Sequence, residues 1–182
     1  TNEDIQILAD TGAVAVNNAG SNLRLSTGIS RTRDVLDAGG RMAFGTDSIS
    51  FSDEEDFFQE LRLAAYLQRI PGELEVGRLD SLQVLRNSTV NGAVALRQEK
   101  ALGSLDVGKE ADLLVVSKKR FLWPKPKYAS IPILDALIDR ATAADIETVM
   151  IAGRVVLDNG EFTTVDEQQV LADFAEAGRD RL

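Results

Sequence analysis

The sequence predicts an α/β fold in which helices alternate with buried parallel strands over residues 1–102. Two mostly apolar segments, AVAV at 13–16 and RMAFG at 41–45, are typical of strands covered on both faces. Segments with helical spacing lie before, between and after these runs, which is the element order of a parallel sheet. Hairpin signals replace this order after Gly103, so the second part of the chain is predicted to be mostly β.

The first two helices are predicted from their ends as much as from their periodicity. Residues 3–10 place their apolar side chains on one helical face, the first two residues can cap the start, and Gly12 follows the end. A shorter helix over 31–38 closes at a pair of glycines. The small polar residues of 17–22 predict a loop between the first strand and this helix.

A third helix is predicted to begin after Ser52, because Ser52 and Glu55 have the spacing of a capping box. It runs to about Arg69, where a Pro-Gly pair stops it. The consecutive acids of 53–56 suit the positive end of a helix dipole, and they splay around the helix too widely to form a metal cluster. Two more short helices are expected within 80–96.

The second part of the chain carries strand and turn signals. Residues 111–116 predict a strand, and 121–132 form an irregular stretch that contains proline. Residues 146–162 predict strand, Ala-Gly turn, strand and Asn-Gly turn in succession. An amphipathic helix is expected over 166–178.

Size and composition are those of a globular protein without a membrane span. The chain has 182 residues, a formal net charge of -9 and no cysteine. The acidity argues against a nucleic-acid partner, whose footprint is basic. No run approaches the roughly 20 apolar residues of a membrane-spanning helix. We expect a cytoplasmic protein, and the start at Thr1 without a methionine suggests either the interior of a longer chain or a processed terminus.

The candidate chemistry lies where the two predicted strands end. Asp47 follows the second strand and Asn17-Asn18 ends the first, and the carboxyl ends of parallel strands face the same mouth. A carboxylate there can bind a metal ion or act as an acid or base. It can equally cap a turn before the next helix. The roles of Ser21 and Asn22 are also undecided by the sequence, because both side chains can either brace the loop or contact a substrate.

Three segments in order are NNAGSNLRLSTGI, MAFGTD and LGSLDVGKEADLLVV. Together they resemble the C-terminal part of the metal-dependent amidohydrolase superfamily, in its cytosine deaminase and triazine chlorohydrolase-like branch. The resemblance implies a TIM-like (β/α)₈ barrel beside a small β-sandwich domain. This chain would then supply the last barrel strands and helices (1–102), sandwich strands with an irregular insert (103–162) and a C-terminal helix (163–182).

The resemblance also assigns roles to particular residues. Asp47 matches the aspartate of the eighth barrel strand, which binds the metal or takes a proton from the metal-activated water. Asn17, Asn18 and Ser48 would lie on the substrate side. Many relatives carry His-Asn-Pro or His-Cys-Pro where this chain has Asn17-Asn18-Ala19, a departure that bears on the substrate.

The missing histidines decide what this chain can do alone. The family binds one divalent ion, zinc or iron most often, mainly through histidines, and this chain has none. One aspartate cannot hold a transition metal by itself. The chain alone is therefore expected to be inactive, with the other ligands in a missing N-terminal part.

The predicted function is the C-terminal portion of a hydrolase that attacks non-peptide C–N bonds of a small molecule with metal-activated water. A homodimer is one expected assembly. Hydrolytic dechlorination on the same scaffold is a second possibility among enzymes. The alternative from another class is a non-catalytic α/β binding or interaction module.

Overall fold

The computed structural model describes residues 1–48, 56–69, 79–124 and 131–179. Its helices are α1 (Asn2–Thr11), α2 (Ala19–Arg24), α3 (Thr32–Asp37), α4 (Phe57–Tyr66), α5 (Ser81–Ser88), α6 (Val90–Ala95), α7 (Lys118–Phe121), α8 (Ile133–Arg140) and α9 (Glu167–Arg179). Its strands are β1 (Val14–Asn17), β2 (Arg41–Phe44), β3 (Leu113–Val116), β4 (Ile146–Ile151), β5 (Arg154–Asp158) and β6 (Glu161–Phe162). A 3₁₀ helix, Ala143–Asp145, precedes β4.

The two predicted strands of the first part form a parallel pair. Val14 lies beside Arg41, and Asn17 lies beside Phe44. Because the strands run in register, the residues that follow them emerge at the same edge of the sheet. The α/β fold is therefore confirmed, whereas a closed (β/α)₈ barrel and a sandwich domain stay predictions.

The ends of α1 agree with the sequence. The hydroxyl of Thr1 accepts a hydrogen bond from the backbone N–H of Asp4 at 3.2 Å. The Asp4 carboxylate in turn accepts a hydrogen bond from the Thr1 backbone nitrogen, which completes a capping box. Gly12 ends the helix in the left-handed conformation, with φ of 68°.

Helix α4 begins at Phe57, later than the predicted start after Ser52. The expected capping box of Ser52 and Glu55 lies outside the described residues. Asp56 is the N-cap of α4, and its carboxylate accepts a hydrogen bond from the backbone N–H of Phe58 at 3.0 Å. The helix ends at Tyr66, slightly before the predicted end.

The predicted loop over residues 17–22 is wrong in part, because it contains the start of helix α2. Three of the six residues of α2, namely Gly20, Ser21 and Asn22, favour turns and caps over helix. Its N-cap residue, Asn18, makes no side-chain capping hydrogen bond. Contacts from other elements must therefore stabilise this helix, and the site described below supplies them.

Helices cover β2 and form the core of this part of the molecule. The buried cluster combines side chains from β2, α2, α4, α5, α8 and the residues just before α5: Ala19, Phe44, Leu61, Ala64, Ala65, Leu79, Val84 and Ile138. Helix α8 lies in the segment 103–162, to which the sequence assigned strands and an irregular insert. Its Ile138 nevertheless packs into the same cluster as α4. The Arg62 side chain of α4 also donates to the carbonyls of Ile138 and Ala141.

The second sheet is antiparallel, with strand order β3-β4-β5-β6. Ala152 and Gly153 both have positive φ, of 48° and 76°, as the predicted two-residue turn between β4 and β5 requires. Asn159 and Gly160, at 49° and 84°, repeat this geometry before β6. The predicted hairpins are thereby confirmed. The final helix α9 is also present, with its apolar side exposed.

No helix in the described parts of the chain is both long enough and apolar enough to cross a membrane.

Candidate functional site

Asp47 lies just beyond the end of β2, on a short loop at the mouth of the parallel pair. Its backbone has φ of 65°, a left-handed conformation that aspartate tolerates better than most residues. The Ser21 hydroxyl, on α2, donates a hydrogen bond to Asp47 Oδ2 at 2.6 Å. Asp47 does not cap the following described helix, because Asp56 has that role. Asp47 therefore presents a carboxylate that one serine holds in place.

Asn17 ends β1 but is turned into the protein. Its side chain is 3% exposed. Its Nδ2 donates to Thr32 Oγ1 at 3.3 Å, and its Oδ1 accepts from Asn22 Nδ2 at 3.2 Å. Both ends of the amide are thus used within the chain, so Asn17 fixes α2 and the start of α3 against β1. The predicted contact of Asn17 with a substrate stays a prediction.

Asn18 lies across the end of β2. A methyl group added at Gly45 would come within 2.7 Å of Asn18 Oδ1. The Gly45 backbone N–H donates to the Asn17 carbonyl at 3.2 Å, which continues the strand pairing by one more bond. Gly45 therefore leaves room for the Asn18 side chain beside the mouth. Ser48, the other predicted substrate-side residue, is half-buried directly after Asp47.

The side chain of Glu60, on α4, contacts the first turn of α2. Both of its carboxylate oxygens lie 3.1 Å from the Gly20 backbone nitrogen, which donates to them. Burial raises the pKa of Glu60 above its usual range, and hydrogen bonds from the backbone N–H groups of Gly20 and Ala19 offset part of that effect. The carboxylate replaces the side-chain cap that Asn18 does not make.

The structure thus brings Asp47 together with Ser21, for which the sequence left two roles open, and connects Asn17 with Asn22. It also buries the side chain of Asn17. The sequence analysis missed Glu60. The available signal was a charged residue on a helix face otherwise occupied by Leu61, Ala64 and Ala65, where an unpartnered carboxylate would be costly.

The described residues contain no group of three or more His, Cys, Asp or Glu side chains that could hold a metal ion. Asp47 alone fits the role of a single ligand. Within the described part of the chain, Ser21 is its hydrogen-bonding partner through Oδ2. A carboxylate with one oxygen held by a hydroxyl can still offer its other oxygen to a cation.

A separate open cavity of about 490 Å³ lies beside α7 and α8, lined by residues that include Arg120, Arg140 and Asp145. None of its lining residues belongs to the strand ends. Asp145 is already occupied, because Arg120 Nε donates to it at 3.0 Å and the Thr142 backbone N–H at 2.9 Å. We therefore place the candidate site at the strand ends, where Asp47 and Ser21 meet.

Comparison with known proteins identifies the family of the chain. Residues 1–156 match the profile of the amidohydrolase family. The chain is 33% identical over 177 residues to a 5-methylthioadenosine/S-adenosylhomocysteine deaminase of Syntrophomonas wolfei, covering 97% of this chain and 40% of that protein. It is 34% identical to a 5'-deoxyadenosine deaminase of Methanosarcina barkeri, covering 97% of this chain and 39% of the relative.

Solved structures share the fold. The crystal structure of an adenosine deaminase from Xanthomonas campestris with bound zinc has a TM-score of 0.88 and 32% identity, over 100% of this chain and 40% of that one. Zinc-complexed atrazine chlorohydrolase from Arthrobacter aurescens has a TM-score of 0.83 and 26% identity, over 97% of this chain and 38% of that one.

The chain spans about 40% of the length of the relatives that it matches. The match of the family profile nevertheless covers most of this chain, including both strand ends and the segment that leads into the antiparallel sheet. The two zinc-containing neighbours also support a divalent metal in this group of proteins. The chain belongs to the amidohydrolase family.

Proposed function

We propose that this chain is the C-terminal portion of a metal-dependent hydrolase that deaminates a small molecule carrying an amino-substituted heteroaromatic ring. The observation that carries the proposal is the Asp47 carboxylate at the end of β2, held by Ser21 at 2.6 Å. Deaminases among the relatives support the choice of a C–N bond. In this proposal the rest of the polypeptide supplies the remaining ligands and substrate contacts.

Asp47 has two tasks in the proposed reaction. One carboxylate oxygen contributes a ligand to a divalent ion, zinc or iron, whose other ligands come from the missing N-terminal part. Such an ion lowers the pKa of water that it binds from about 15.7 to about 7. The carboxylate then takes up a proton from the attacking water and delivers it to the leaving amine.

Ser21 keeps this carboxylate in one orientation. A hydrogen bond from a hydroxyl to a carboxylate is charge-assisted and directional, so it restricts rotation of the Asp47 side chain. Proton transfer requires the acceptor within hydrogen-bonding reach of its partner, and small displacements are expensive in rate. Asn18 and Ser48 line the substrate side in this proposal, and Asn17 fixes the loop that carries them.

The substrate class follows from the relatives and needs a direct test. We propose an adenine nucleoside, and the probes are adenosine, 5'-deoxyadenosine and 5-methylthioadenosine. Atrazine is the comparison probe, because the chlorohydrolase neighbour shares the fold at a TM-score of 0.83. Release of ammonia from a nucleoside supports deamination. Release of chloride from atrazine, without ammonia from any nucleoside, would favour hydrolytic dechlorination instead.

The decisive variant is Asp47→Asn in the full-length protein that carries this chain. Loss of the proton acceptor should lower kcat by about 10²- to 10⁴-fold. Bound zinc should be measured beside the rate, because Asp47 is also a proposed ligand. Unchanged ammonia release in Asp47→Asn would exclude the proposed role.

Asp106→Asn is the matched control. Asp106 also accepts a serine hydroxyl, from Ser104, but it lies on the loop before β3. Its replacement should leave kcat and zinc content unchanged. A chain that is complete, folded and inactive toward every probe at its native length would instead support the binding module. A homodimeric assembly and a cytoplasmic location stay predictions.

A further inference from the structure

Glu60 is a buried carboxylate whose position is unexpected for a helix that packs on a core. Its residue is 6% exposed, and it lies beside Leu61 and Ala64 on α4. In the described parts of the chain, Glu60 takes part in no ion pair, and its carboxylate accepts hydrogen bonds from backbone N–H groups of α2. An apolar side chain would pack here without the cost of desolvating a charge.

The cost of burying this charge is reflected in the direction of the pKa shift of Glu60. Burial raises the pKa of Glu60, so the fold favours the neutral over the ionised form. The contribution of this group to stability is greatest at acidic pH and is lost as the pH rises through the raised pKa. At neutral pH the ionised Glu60 thus lowers stability relative to a neutral group, and this cost suggests a function other than stabilising the fold.

The partner of Glu60 is the helix that carries Ser21. Gly20, which donates to both Glu60 oxygens, directly precedes Ser21, which donates to Asp47. Helix α2 is short, has weak helix propensity and lacks a side-chain cap of its own. Its first turn is held by Glu60 on one side, and its serine reaches the candidate catalytic carboxylate on the other.

The space around Gly20 agrees with this arrangement. A methyl group at Gly20 would lie 2.8 Å from Glu60 Oε2, so the carboxylate occupies the place that a larger side chain would need. Gly20 has an ordinary helical backbone, and alanine would otherwise be favoured there. The close approach of α2 to Glu60 therefore means that a side chain at position 20 fits only if the Glu60 carboxylate moves away.

We propose that Glu60 is a positioning residue, which anchors the first turn of α2 so that the Ser21 hydroxyl is presented to Asp47. The inference rests on the proposed role of Asp47 in catalysis. Glu60 contacts neither Asp47 nor, in this proposal, the substrate. Its effect on the reaction passes through the backbone of Gly20 and the side chain of Ser21.

The test uses the full-length zinc-loaded protein with adenosine, 5'-deoxyadenosine and 5-methylthioadenosine, and the kinetics are taken on the nucleoside that it deaminates. Glu60→Ala should lower kcat by about 10- to 100-fold, the effect of a misplaced catalytic group, with little change in KM or zinc content. Amide hydrogen exchange at Gly20 should become faster. Arg62→Ala is the control on the same helix: it removes hydrogen bonds to α8, and it should lower the melting temperature without changing kcat or exchange at Gly20.

Two further variants separate positioning from general stability. Glu60→Gln keeps one acceptor oxygen for the Gly20 N–H and removes the buried charge. Its melting temperature at neutral pH should therefore equal or exceed that of the wild type, and its kcat should stay well above that of Glu60→Ala. In a Ser21→Ala background, Glu60→Ala should lower kcat no further, because both changes remove the same contact. A kcat loss that simply follows the melting temperature, or that adds fully to Ser21→Ala, would overturn the inference.

The Asp47→Asn variant keeps the two proposals apart. If Asp47→Asn is inactive and Glu60→Ala keeps the wild-type kcat, the role of Asp47 stands and the role of Glu60 falls. If Asp47→Asn is fully active, both fall together. Loss of kcat in both variants, with wild-type kcat in Arg62→Ala, supports both.

Discussion

Gly103 offers a test of how tightly the segment after α6 packs against that helix. Its φ is 91°, and a methyl group built on it would lie 2.8 Å from Ala93 Cβ, 3.1 Å from Val90 Cα and 3.2 Å from the Thr89 carbonyl oxygen. These atoms are backbone or Cβ atoms of α6 and its N-cap, so they cannot move aside by a change of rotamer. We therefore expect Gly103→Ala to destabilise the protein substantially.

Gly108 provides a matched control within the same loop. Its φ is 93°, nearly that of Gly103, but nothing lies within 4 Å of a methyl group built there. Alanine at either position meets the cost of a left-handed backbone, about 1–2 kcal/mol. Only Gly103→Ala adds crowding against fixed atoms, about 1–3 kcal/mol more. The expected losses are therefore about 2–5 kcal/mol for Gly103→Ala and about 1–2 kcal/mol for Gly108→Ala.

The measurement is chemical unfolding of the full-length protein, followed by circular dichroism at one fixed zinc concentration. Equal m values in the two variants would show that the comparison is one of stability alone. A difference between the two variants below about 0.5 kcal/mol, the usual scatter of independent sites, would refute the reasoning from crowding.

Two other changes test the electrostatics and the mouth of the site. Burial alone would raise the pKa of Asp145, but hydrogen bonds from Thr142 and Arg120 together outweigh it and lower that pKa. The stabilising effect of Asp145 is therefore present at neutral pH and is lost as the pH falls below about 4, the ordinary range of an aspartate. Asp145→Ala should therefore lower the free energy of unfolding by about 1–3 kcal/mol at neutral pH, and by progressively less as the pH falls. Chemical unfolding at several pH values measures this, and a loss that does not change with pH would contradict the reasoning. Gly45→Ala should displace the Asn18 side chain, whose Oδ1 would lie 2.7 Å from the new methyl group, and raise the KM for the nucleoside substrate. The rise should disappear in an Asn18→Ala background, and its persistence there would show that Asn18 is not the cause.

The elements that the sequence predicts well are those in which local signals and tertiary packing agree. The second predicted strand, RMAFG at 41–45, is apolar after Arg41, and the structure buries Met42, Ala43 and Phe44. The first strand is also present, but Val16 is 54% exposed, so the described residues do not cover both of its faces as expected. The turns between β4, β5 and β6 use Ala-Gly and Asn-Gly pairs that accept positive φ. In each case a few neighbouring residues contain the whole physical reason.

The elements that it misses depend on distant residues. Helix α2 is a weak helix former, and Glu60, distant in sequence, caps its first turn. Helix α8 follows a proline-containing stretch, and its burial depends on the core around α4 and α5. Local propensity cannot supply such information, because the stabilising partner lies elsewhere in the chain.

The same limit applies to the site. The position of Asp47 at a strand end is readable from the apolar run before it, and so is its proximity to the end of β1. The contact with Ser21 is not readable, because it requires α2 to exist and to be oriented by Glu60. The hydrogen bonds of the Asn17 amide with Thr32 and Asn22 are not readable either, because they depend on how α2 and α3 fold back onto β1.

The place of Ile138 in the core has a consequence for synthesis on the ribosome. The cluster that contains Ala19, Phe44 and Leu61 stays incomplete until α8 has left the exit tunnel. At translation rates of about 5–20 residues per second, the nascent chain waits on the order of ten seconds with apolar helix faces uncovered. A chaperone that binds such faces can act during this interval, and a chain that ends before α8 would keep those faces uncovered.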